Sequence, residues 1–147
     1  MKMLTRCVIC LVLGVASCAA SQWQTNYDKA LATAKAENKR VLINFTGSDW
    51  CRPCINMQER VFSQDEFLDY AERNLILLEI DYPARKVLPD ELRKQNQKLK
   101  SQFKLFGFPT LALLDSSGNV LGTSTGYYNE TVAGIIKRIQ KWSKQWD

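Results

Sequence analysis

The sequence predicts an α/β fold in which a central mixed β-sheet of about four to five strands is flanked by helices on both faces. Two short and almost wholly apolar runs, residues 41–45 and 75–80, have the composition of strands that are covered on both faces. Segments with helical periodicity precede, separate and follow these runs. After residue 110, two further strands around a polar turn predict a hairpin, and an amphipathic helix closes the chain.

Length and composition limit the classes of protein that need to be considered. The chain has 147 residues, which suits one domain with a sizeable core, and 46% of them are hydrophobic, too many for a disordered chain. The net charge is +5, but no basic run is interleaved with aromatic residues, so no nucleic-acid partner is expected. The absence of histidine from the sequence excludes histidine metal ligands and Cys-His or Ser-His catalytic pairs.

Residues 1–20 have the features of an export signal. Lys2 and Arg6 form a positive region, and residues 8–15 form an apolar core. This core is well below the roughly 18 residues that are needed to span a membrane. A buried N-terminal helix is the alternative interpretation.

Two processing sites compete at the end of this leader. Residues 18–20 (Cys-Ala-Ala) before Ser21 form a small-residue site for ordinary signal peptidase, which the sequence slightly favours. Residues 15–18 (Val-Ala-Ser-Cys) also resemble a bacterial lipobox, in which Cys18 would carry a lipid anchor. In either case residues 21–147 are predicted to form a single domain.

The positions of the five cysteines indicate redox chemistry. Cys7, Cys10 and Cys18 fall in or at the edge of the leader, which leaves Cys51 and Cys54 as the thiol pair of the exported chain. One pair does not make a disulfide scaffold, and a structural zinc ion needs four ligands. No metal or other cofactor is therefore expected, and the reversible disulfide is itself the redox group.

A helix, a strand and a turn are predicted ahead of this pair. The helix covers residues 23–39 and ends at Asn38-Lys39. Residues recurring at three- and four-residue spacing define it: Tyr27, Ala30, Leu31, Ala34 and Lys35. The buried strand 41–45 follows, and the polar turn 46–49 leads to the cysteines.

The segment Trp50-Cys51-Arg52-Pro53-Cys54 lies where this strand gives way to a helix. Cys51 is placed at the helix N-terminus, where free N–H groups and the helix dipole favour an anion. Its thiolate should therefore be stabilised and nucleophilic near neutral pH. Cys54 lies one turn further on, where it can resolve a mixed disulfide formed on Cys51.

The helix that follows carries Met57 and Val61 on one face and then restarts. Ser63 and Glu66 match a capping box, with Ser63 as the N-cap of the second helical segment.

The second strand, residues 75–80, is followed by the loop 81–89 and by a helix that runs to about residue 104. Pro89 is predicted in the first turn of this helix. The helix is polar, and four of its basic residues are predicted to form a solvated face: Lys94, Lys98, Lys100 and Lys104.

The closing hairpin consists of strands 111–114 and 120–125 around the turn 115–119. Asn129 is predicted to cap the last helix. An apolar stripe marks that helix: Val132, Ile135, Ile136, Ile139 and Trp142.

This order of elements resembles the thioredoxin fold over residues 23–146. The Trp-Cys-Arg-Pro-Cys run at residues 50–54, the Phe-Pro-Thr step at residues 108–110 and the closing hairpin with its helix carry the resemblance. Residues 45–51 and the long helix before the Phe-Pro-Thr step resemble an exported bacterial thioredoxin-like group. That group includes the DsbH-type periplasmic reductases and the C-terminal domain of DsbD.

The resemblance implies a substrate-binding surface around the two sulfurs. Pro109 would be a cis-proline that faces the cysteines, and Phe108 would offer its backbone to an extended substrate. Trp50, Arg52 and Pro53 would complete the surface. A trans proline at a strand start, and a purely structural role for Trp50, are the alternatives.

The sequence departs from thioredoxin in two places. Thioredoxin carries a buried aspartate that assists proton transfer at its second cysteine, whereas the matching position here is Asn44, a neutral amide. Asp49 could replace that acid, although a solvent-facing turn residue is the favoured interpretation. Arg52 replaces a glycine of thioredoxin and should help to stabilise the Cys51 thiolate, raising the reduction potential somewhat.

Together these features predict an exported, periplasmic thiol–disulfide oxidoreductase. Pro53 matches thioredoxin and favours a reductase, which would act on disulfide-containing exported proteins or small-molecule disulfides. A reductase in an oxidising compartment needs a membrane electron donor, here of the DsbD type. A dithiol oxidase, a maturation factor with one narrow substrate and a non-catalytic thioredoxin-fold chaperone or adaptor are the alternatives. The chain is expected to be a monomer.

Overall fold

A four-stranded mixed sheet lies at the centre of the computed structural model, which describes residues 23–144. The strand order is β2-β1-β3-β4, with β1 parallel to β2, and β3 antiparallel to both β1 and β4. The strands are β1 (Arg40–Thr46), β2 (Leu75–Asp81), β3 (Thr110–Leu114) and β4 (Val120–Thr125). The predicted α/β fold is confirmed. The leader, its processing sites and Cys7, Cys10 and Cys18 lie outside the described residues.

Helices cover both faces of this sheet. They are α1 (Tyr27–Glu37), α2 (Arg52–Met57), α3 (Asp65–Asn74), α4 (Asp90–Gln102) and α5 (Val132–Lys144), with a π-helical turn (Gln58–Phe62) between α2 and α3. Within residues 23–144, the helices are all too short or too polar to span a bilayer.

Alternate residues of the strands divide the core into two halves. One half, on what we call the α2 face, contains Leu42, Leu77, Leu111 and Leu113 from the strands and Met57, Phe62, Phe67, Ile135 and Ile139 from the covering helices. The other half, on the α1 face, contains Val41, Ile43, Phe45, Leu78, Ile80 and Leu114 with Ala30, Ala34 and Leu99. The apolar strand runs are therefore buried on both faces, as their composition predicts.

The first helix is shorter than its periodicity predicts. It begins at Tyr27, because Asn26 caps it by accepting a hydrogen bond from the Lys29 N–H (2.8 Å). The preceding residues instead extend along the edge of β2. There the Gln24 N–H donates to the Leu77 carbonyl (2.9 Å), and the Glu79 N–H donates to the Gln24 carbonyl (2.8 Å). Backbone pairing with an open strand edge thus replaces the predicted first helical turn.

The restart of the helix after Cys54 is confirmed, but the predicted cap is wrong. The helix α3 begins after Gln64, and no side chain caps it. The Ser63 N–H instead donates to the Gln58 carbonyl (3.0 Å) and so closes the π-helical turn. Ser63 therefore ends one helical segment rather than beginning the next.

The predicted cap of the last helix is wrong as well. Asn129 has a left-handed backbone (φ +61°) and accepts a hydrogen bond from the Arg60 guanidinium (3.2 Å). The cap is Thr131, whose Oγ1 accepts from the Gly134 N–H (3.1 Å) while its carbonyl accepts from the Ile135 N–H (3.0 Å). Pro89 likewise lies one position earlier than predicted, as the residue before the first turn of α4.

These two corrections predict different costs for two similar substitutions in the full chain. Thr131→Ala should lower the free energy of unfolding by about 1 kcal/mol, because it removes a cap bond. Ser63→Ala should change it by less than about 0.5 kcal/mol, because no helix depends on that hydroxyl. Urea denaturation followed by circular dichroism measures both, and equal costs would contradict the cap assignment.

Candidate active site

A tight turn carries the chain from the carboxyl end of β1 into α2. The Gly47 carbonyl accepts hydrogen bonds from the N–H groups of Trp50 (3.3 Å) and Cys51 (2.9 Å). Cys51 is the N-cap residue of α2, and its Sγ accepts a hydrogen bond from the Cys54 N–H (3.3 Å). The predicted placement of the first cysteine at a helix N-terminus is therefore observed.

Cys51 and Cys54 form a disulfide, with their Cα atoms 5.2 Å apart. The two residues are only 5% and 3% exposed. A reacting partner must therefore approach across the side chains that surround the disulfide.

Three aromatic side chains, Trp50, Tyr82 and Phe108, form what we call the aromatic rim. Trp50 is 50% exposed, and its Nε1 donates to the Tyr82 carbonyl (2.8 Å). Its ring meets the Phe108 ring edge to face at 5.8 Å, and the Phe108 ring lies 5.2 Å from the Tyr82 ring. Trp50 and Phe108, which the sequence analysis places beside the cysteines, are thus brought together.

Sequence reasoning missed Tyr82, although a signal was present. Tyr82 directly follows β2, and the carboxyl ends of the parallel strands β1 and β2 meet at one edge of the sheet. Burial raises the pKa of the Tyr82 hydroxyl, which donates to the Asn96 carbonyl (2.7 Å). The neutral phenol thus anchors the rim to α4.

Gly47 was missed too, and it is required for the position of Trp50. A Cβ atom at residue 47 would lie 2.4 Å from Cε2 of the indole, closer than real contacts allow. Glycine lets the indole ring lie directly against the backbone of the turn.

Asp49 fixes the segment that follows β2. Its carboxylate accepts hydrogen bonds from the backbone N–H groups of Ala84 (2.8 Å), Arg85 (2.8 Å) and Lys86 (3.0 Å), and the Arg85 guanidinium donates to its carbonyl. The N–H of Ala84 and then those of its two neighbours hold the Asp49 pKa below its usual range, against a smaller opposing effect of desolvation. Asp49 is therefore an exposed turn residue, as favoured, and its carboxylate is bonded to the backbone of the following loop.

Ser48 makes a second connection to the same segment. Its N–H donates to Oδ1 of Asp81 (2.9 Å) and its Oγ donates to Oδ2 (2.6 Å). Asp81 is 6% exposed and ends β2. The turn is thus held to the end of the neighbouring strand by consecutive residues.

The Phe108–Pro109 peptide bond is cis, the conformation that the resemblance implies. The Pro109 carbonyl accepts from the Gly126 N–H (2.8 Å), and Oγ1 of Thr110 donates to the Gly107 carbonyl (2.8 Å). These bonds fix the loop that carries Phe108. The predicted contact residues Arg52 and Pro53 lie exposed in the first turn of α2.

Residues 23–144 contain no group of three or more cysteine, aspartate or glutamate side chains placed to hold an ion. Thiol–disulfide exchange needs cysteines alone.

The Asp49 contacts predict that Asp49→Ala loosens residues 84–86 without unfolding the domain. The exchange rates of these three amides should rise about tenfold, because their acceptor is lost. In the wild-type protein the same loosening should appear as the pH falls through the lowered pKa of Asp49, and it should be absent at neutral pH. Amide hydrogen exchange measures both effects. Asp69→Ala, which removes an exposed carboxylate elsewhere, is the control, and unchanged exchange at residues 84–86 in Asp49→Ala would contradict the assignment.

The chain is similar to two curated proteins of Chlamydia pneumoniae. Over 100 residues the chain is 41% identical to the disulfide bond reductase DsbH of Chlamydia pneumoniae, which covers 68% of this chain and 60% of that protein. Over 113 residues it is 28% identical to the thioredoxin-related protein DsbJ of the same organism, covering 77% of this chain and 32% of that protein. The matched regions are thus less than two thirds of the length of either relative.

Structural comparison extends the likeness to the whole described fold. A solved structure of a DsbH oxidoreductase superposes with a TM-score of 0.78 at 35% identity, over 86% of each chain. The family model described as a thioredoxin-like domain matches residues 27–139, which include every strand and the cysteine pair. The chain therefore belongs to the thioredoxin-like domain family.

Proposed function

We propose that the protein is a thiol–disulfide oxidoreductase that works as a disulfide reductase, with Cys51 and Cys54 as its redox pair. The disulfide at the N-terminus of α2, directly after Trp50 in the chain, is the observation that carries this proposal. The similarity to DsbH, which is named as a disulfide bond reductase, supports the direction of the reaction.

The reaction begins with the reduced protein. The Cys51 thiolate attacks one sulfur of a substrate disulfide, the substrate S–S bond breaks, and the other substrate sulfur leaves as a thiolate. The Cys54 thiolate then attacks Sγ of Cys51 in the mixed disulfide and releases the second substrate thiol. Two electrons have passed to the substrate, and Cys51–Cys54 is oxidised.

The surroundings of Cys51 suit a nucleophile. Its Sγ already accepts the Cys54 N–H, and that donor stabilises a thiolate more than it stabilises a neutral thiol. The neighbouring Arg52 adds a positive charge. Cys54 lies within the first turn of α2, three residues after the N-cap Cys51, and serves as the resolving thiol.

The substrate-binding surface consists of the residues that border the disulfide. Trp50 and Phe108 would offer apolar ring surface, since their rings are in contact, and Phe108 would offer its backbone just before the cis bond to Pro109. Arg52 and Pro53, the two residues between the cysteines, are exposed. An extended segment around a substrate disulfide would lie across these residues.

The cellular setting is part of the proposal. Residues 1–20 would direct export to the periplasm, with Cys18 as an alternative lipid anchor. The substrates would be disulfide-containing exported proteins or small-molecule disulfides. Re-reduction of Cys51–Cys54 needs two electrons per cycle, which a membrane donor of the DsbD type would supply. The protein would act as a monomer and without nucleic acid.

The equilibrium reduction potential of Cys51–Cys54 against glutathione tests whether the protein reduces or oxidises its substrates. A value near roughly −270 mV, as in thioredoxin, is expected for a reductase. A value near roughly −120 mV, as in the strong oxidant DsbA, would overturn that direction. The guanidinium of Arg52 favours this second outcome, because stabilising the thiolate stabilises the reduced form. Trp50 fluorescence that does not change on reduction would instead indicate an adaptor without redox activity.

Two substitutions test the assignment of Cys51 as the nucleophile and Cys54 as the resolving thiol. Cys54→Ala should accumulate covalent adducts between Cys51 and substrate proteins, because no thiol remains to resolve them. Cys51→Ala should lose all activity and form no adducts at this site. Non-reducing electrophoresis and mass spectrometry after acid quenching measure both. Adducts on Cys54 in Cys51→Ala, or none in Cys54→Ala, would contradict the assigned roles.

A further inference from the structure

Positive charge is concentrated in the segment that follows β2. Residues 82–106 form the loop after β2, the helix α4 and the turn beyond it, and their acidic residues are Asp90 and Glu91. The basic residues of the same segment are more numerous and are all exposed: Arg85, Lys86, Arg93, Lys94, Lys98, Lys100 and Lys104. Charge of one sign raises the local concentration of ligands of the opposite sign. This side of the domain therefore attracts anionic groups.

Lys100 is joined to the aromatic rim by a direct contact. Its Nζ lies 5.8 Å from the centre of the Tyr82 ring, within reach of a cation–π interaction. Lys100 reaches this position because it lies one helical turn after Asn96, whose carbonyl accepts from the Tyr82 hydroxyl (2.7 Å). The Tyr82 ring in turn lies 5.2 Å from the Phe108 ring. Within residues 23–144 no carboxylate forms an ion pair with Lys100, so its charge is available to a ligand.

Arg85 and Lys86 bring two further charges to the turn that carries the cysteines. The Arg85 guanidinium donates to the carbonyl of Asp49, and the Lys86 N–H donates to Oδ2 of the same residue (3.0 Å). The Asp49 carboxylate offsets part of the Arg85 charge. The Lys86 ammonium, by contrast, makes no ion pair in the part of the chain that the structure describes. We call Arg85, Lys86 and Lys100 the basic border of the rim.

A cleft of about 330 Å³ lies beside Tyr82, between the loop after β2 and α4. Its lining combines apolar surface with positive charge: Pro83, Val87, Leu88, Lys86 and Arg93. Asp81 also lines the cleft, but both of its carboxylate oxygens are bonded to Ser48 (2.9 and 2.6 Å). The Arg93 guanidinium is paired with Asp90 (2.7 Å). A side chain with an apolar stem and a terminal carboxylate, such as glutamate, suits this lining.

We propose that the basic border selects protein substrates that carry an acidic side chain about three residues from the reactive cysteine. The inference rests on the proposed function and specifies its substrate class. A substrate segment against Phe108 has to cover the steps from Phe108 to Tyr82 (5.2 Å) and from Tyr82 to Lys100 (5.8 Å). About three residues of extended chain, at roughly 3.3 Å each, cover these steps. The carboxylate then lies near Lys100 and Lys86 while the substrate sulfur meets Cys51.

The test compares three peptides that differ in charge alone. Each short, end-capped peptide has one cysteine in a mixed disulfide with 2-mercaptoethanol, and carries glutamate, glutamine or lysine three residues away on both sides. Reduced full-length protein is added, and loss of the peptide disulfide is followed by acid quench and mass spectrometry. At low ionic strength the glutamate peptide should react about tenfold faster than the glutamine peptide, and the lysine peptide more slowly than either. The difference should largely disappear in 1 M salt, where the Debye length is about 3 Å.

A pair of double variants tests whether the basic border causes this preference. Lys86→Gln/Lys100→Gln should lower the ratio of the glutamate rate to the glutamine rate from about tenfold to about twofold. Lys29→Gln/Lys98→Gln is the matched control, because it removes the same charge from the side of α1. Lys29 is exposed on α1, and Lys98 lines the cleft between α4 and Tyr27. The control should keep the wild-type ratio.

Three results would overturn the proposal. The first is a ratio near one in the wild-type protein at low ionic strength. The second is an equal loss of preference in both double variants, which would reflect net charge alone. The third is an unchanged ratio in Lys86→Gln/Lys100→Gln. If that variant also lost binding to vesicles that contain phosphatidylglycerol, the two lysines would belong to a lipid-binding surface instead.

A second measurement does not depend on the redox reaction. The same peptides, with serine in place of cysteine, are titrated into the oxidised full-length protein and observed by nitrogen-15 NMR. The glutamate peptide should shift the backbone amides of Lys86 and Lys100 more than the glutamine peptide does, and equal shifts would overturn the proposal. If no peptide disulfide is reduced at all, the proposed function fails, and this titration still decides whether the basic border binds acidic segments.

Discussion

The attachment of the cysteine-bearing turn to the end of the neighbouring strand is the constraint on which the site depends. Ser48 bonds Asp81, Asp49 bonds the backbone of residues 84–86, and Trp50 bonds the Tyr82 carbonyl. These contacts involve three consecutive side chains and one short segment. They are possible because β1 and β2 are parallel, so that their carboxyl ends lie side by side. These contacts outside α2 therefore help to fix the position of Cys51, in addition to the hydrogen bonds of the helix itself.

This attachment also determines the surface that a substrate would meet. The indole of Trp50 is half-exposed, yet its N–H is bonded and its ring is packed against Phe108. A large aromatic side chain that is already ordered loses little conformational entropy when a partner binds. Gly47 makes that order possible, since any larger residue would displace the indole. The exposed apolar surface beside the disulfide is thus preorganised.

Local signals in the sequence were sufficient for the strands, the helix after Cys51 and the cysteine pair. Each of these depends on residues that are close in sequence, through periodicity or position at a helix end. The Asp49 and Tyr82 contacts could not be derived in this way, because they join residues more than 30 positions apart and require the register of β1 against β2. The predicted cap at Ser63 is wrong for a local reason. The Ser63 N–H is bonded to the Gln58 carbonyl, so the residue belongs to the end of the π-helical turn.

Three acidic side chains near this edge of the sheet differ in their hydrogen bonds and pKa values because their surroundings differ. Asp49 lies where backbone N–H groups converge, so its charge is stabilised and it serves as a structural acceptor. Asp81 receives two hydrogen bonds from Ser48 and anchors the turn. Glu79 is half-buried, lies two residues from the charge of Asp81 and faces a neutral amide, so desolvation dominates and its proton is retained more strongly. Residue type alone would treat the three carboxyls as equivalent, whereas their placement gives two of them structural roles and raises the pKa of the third.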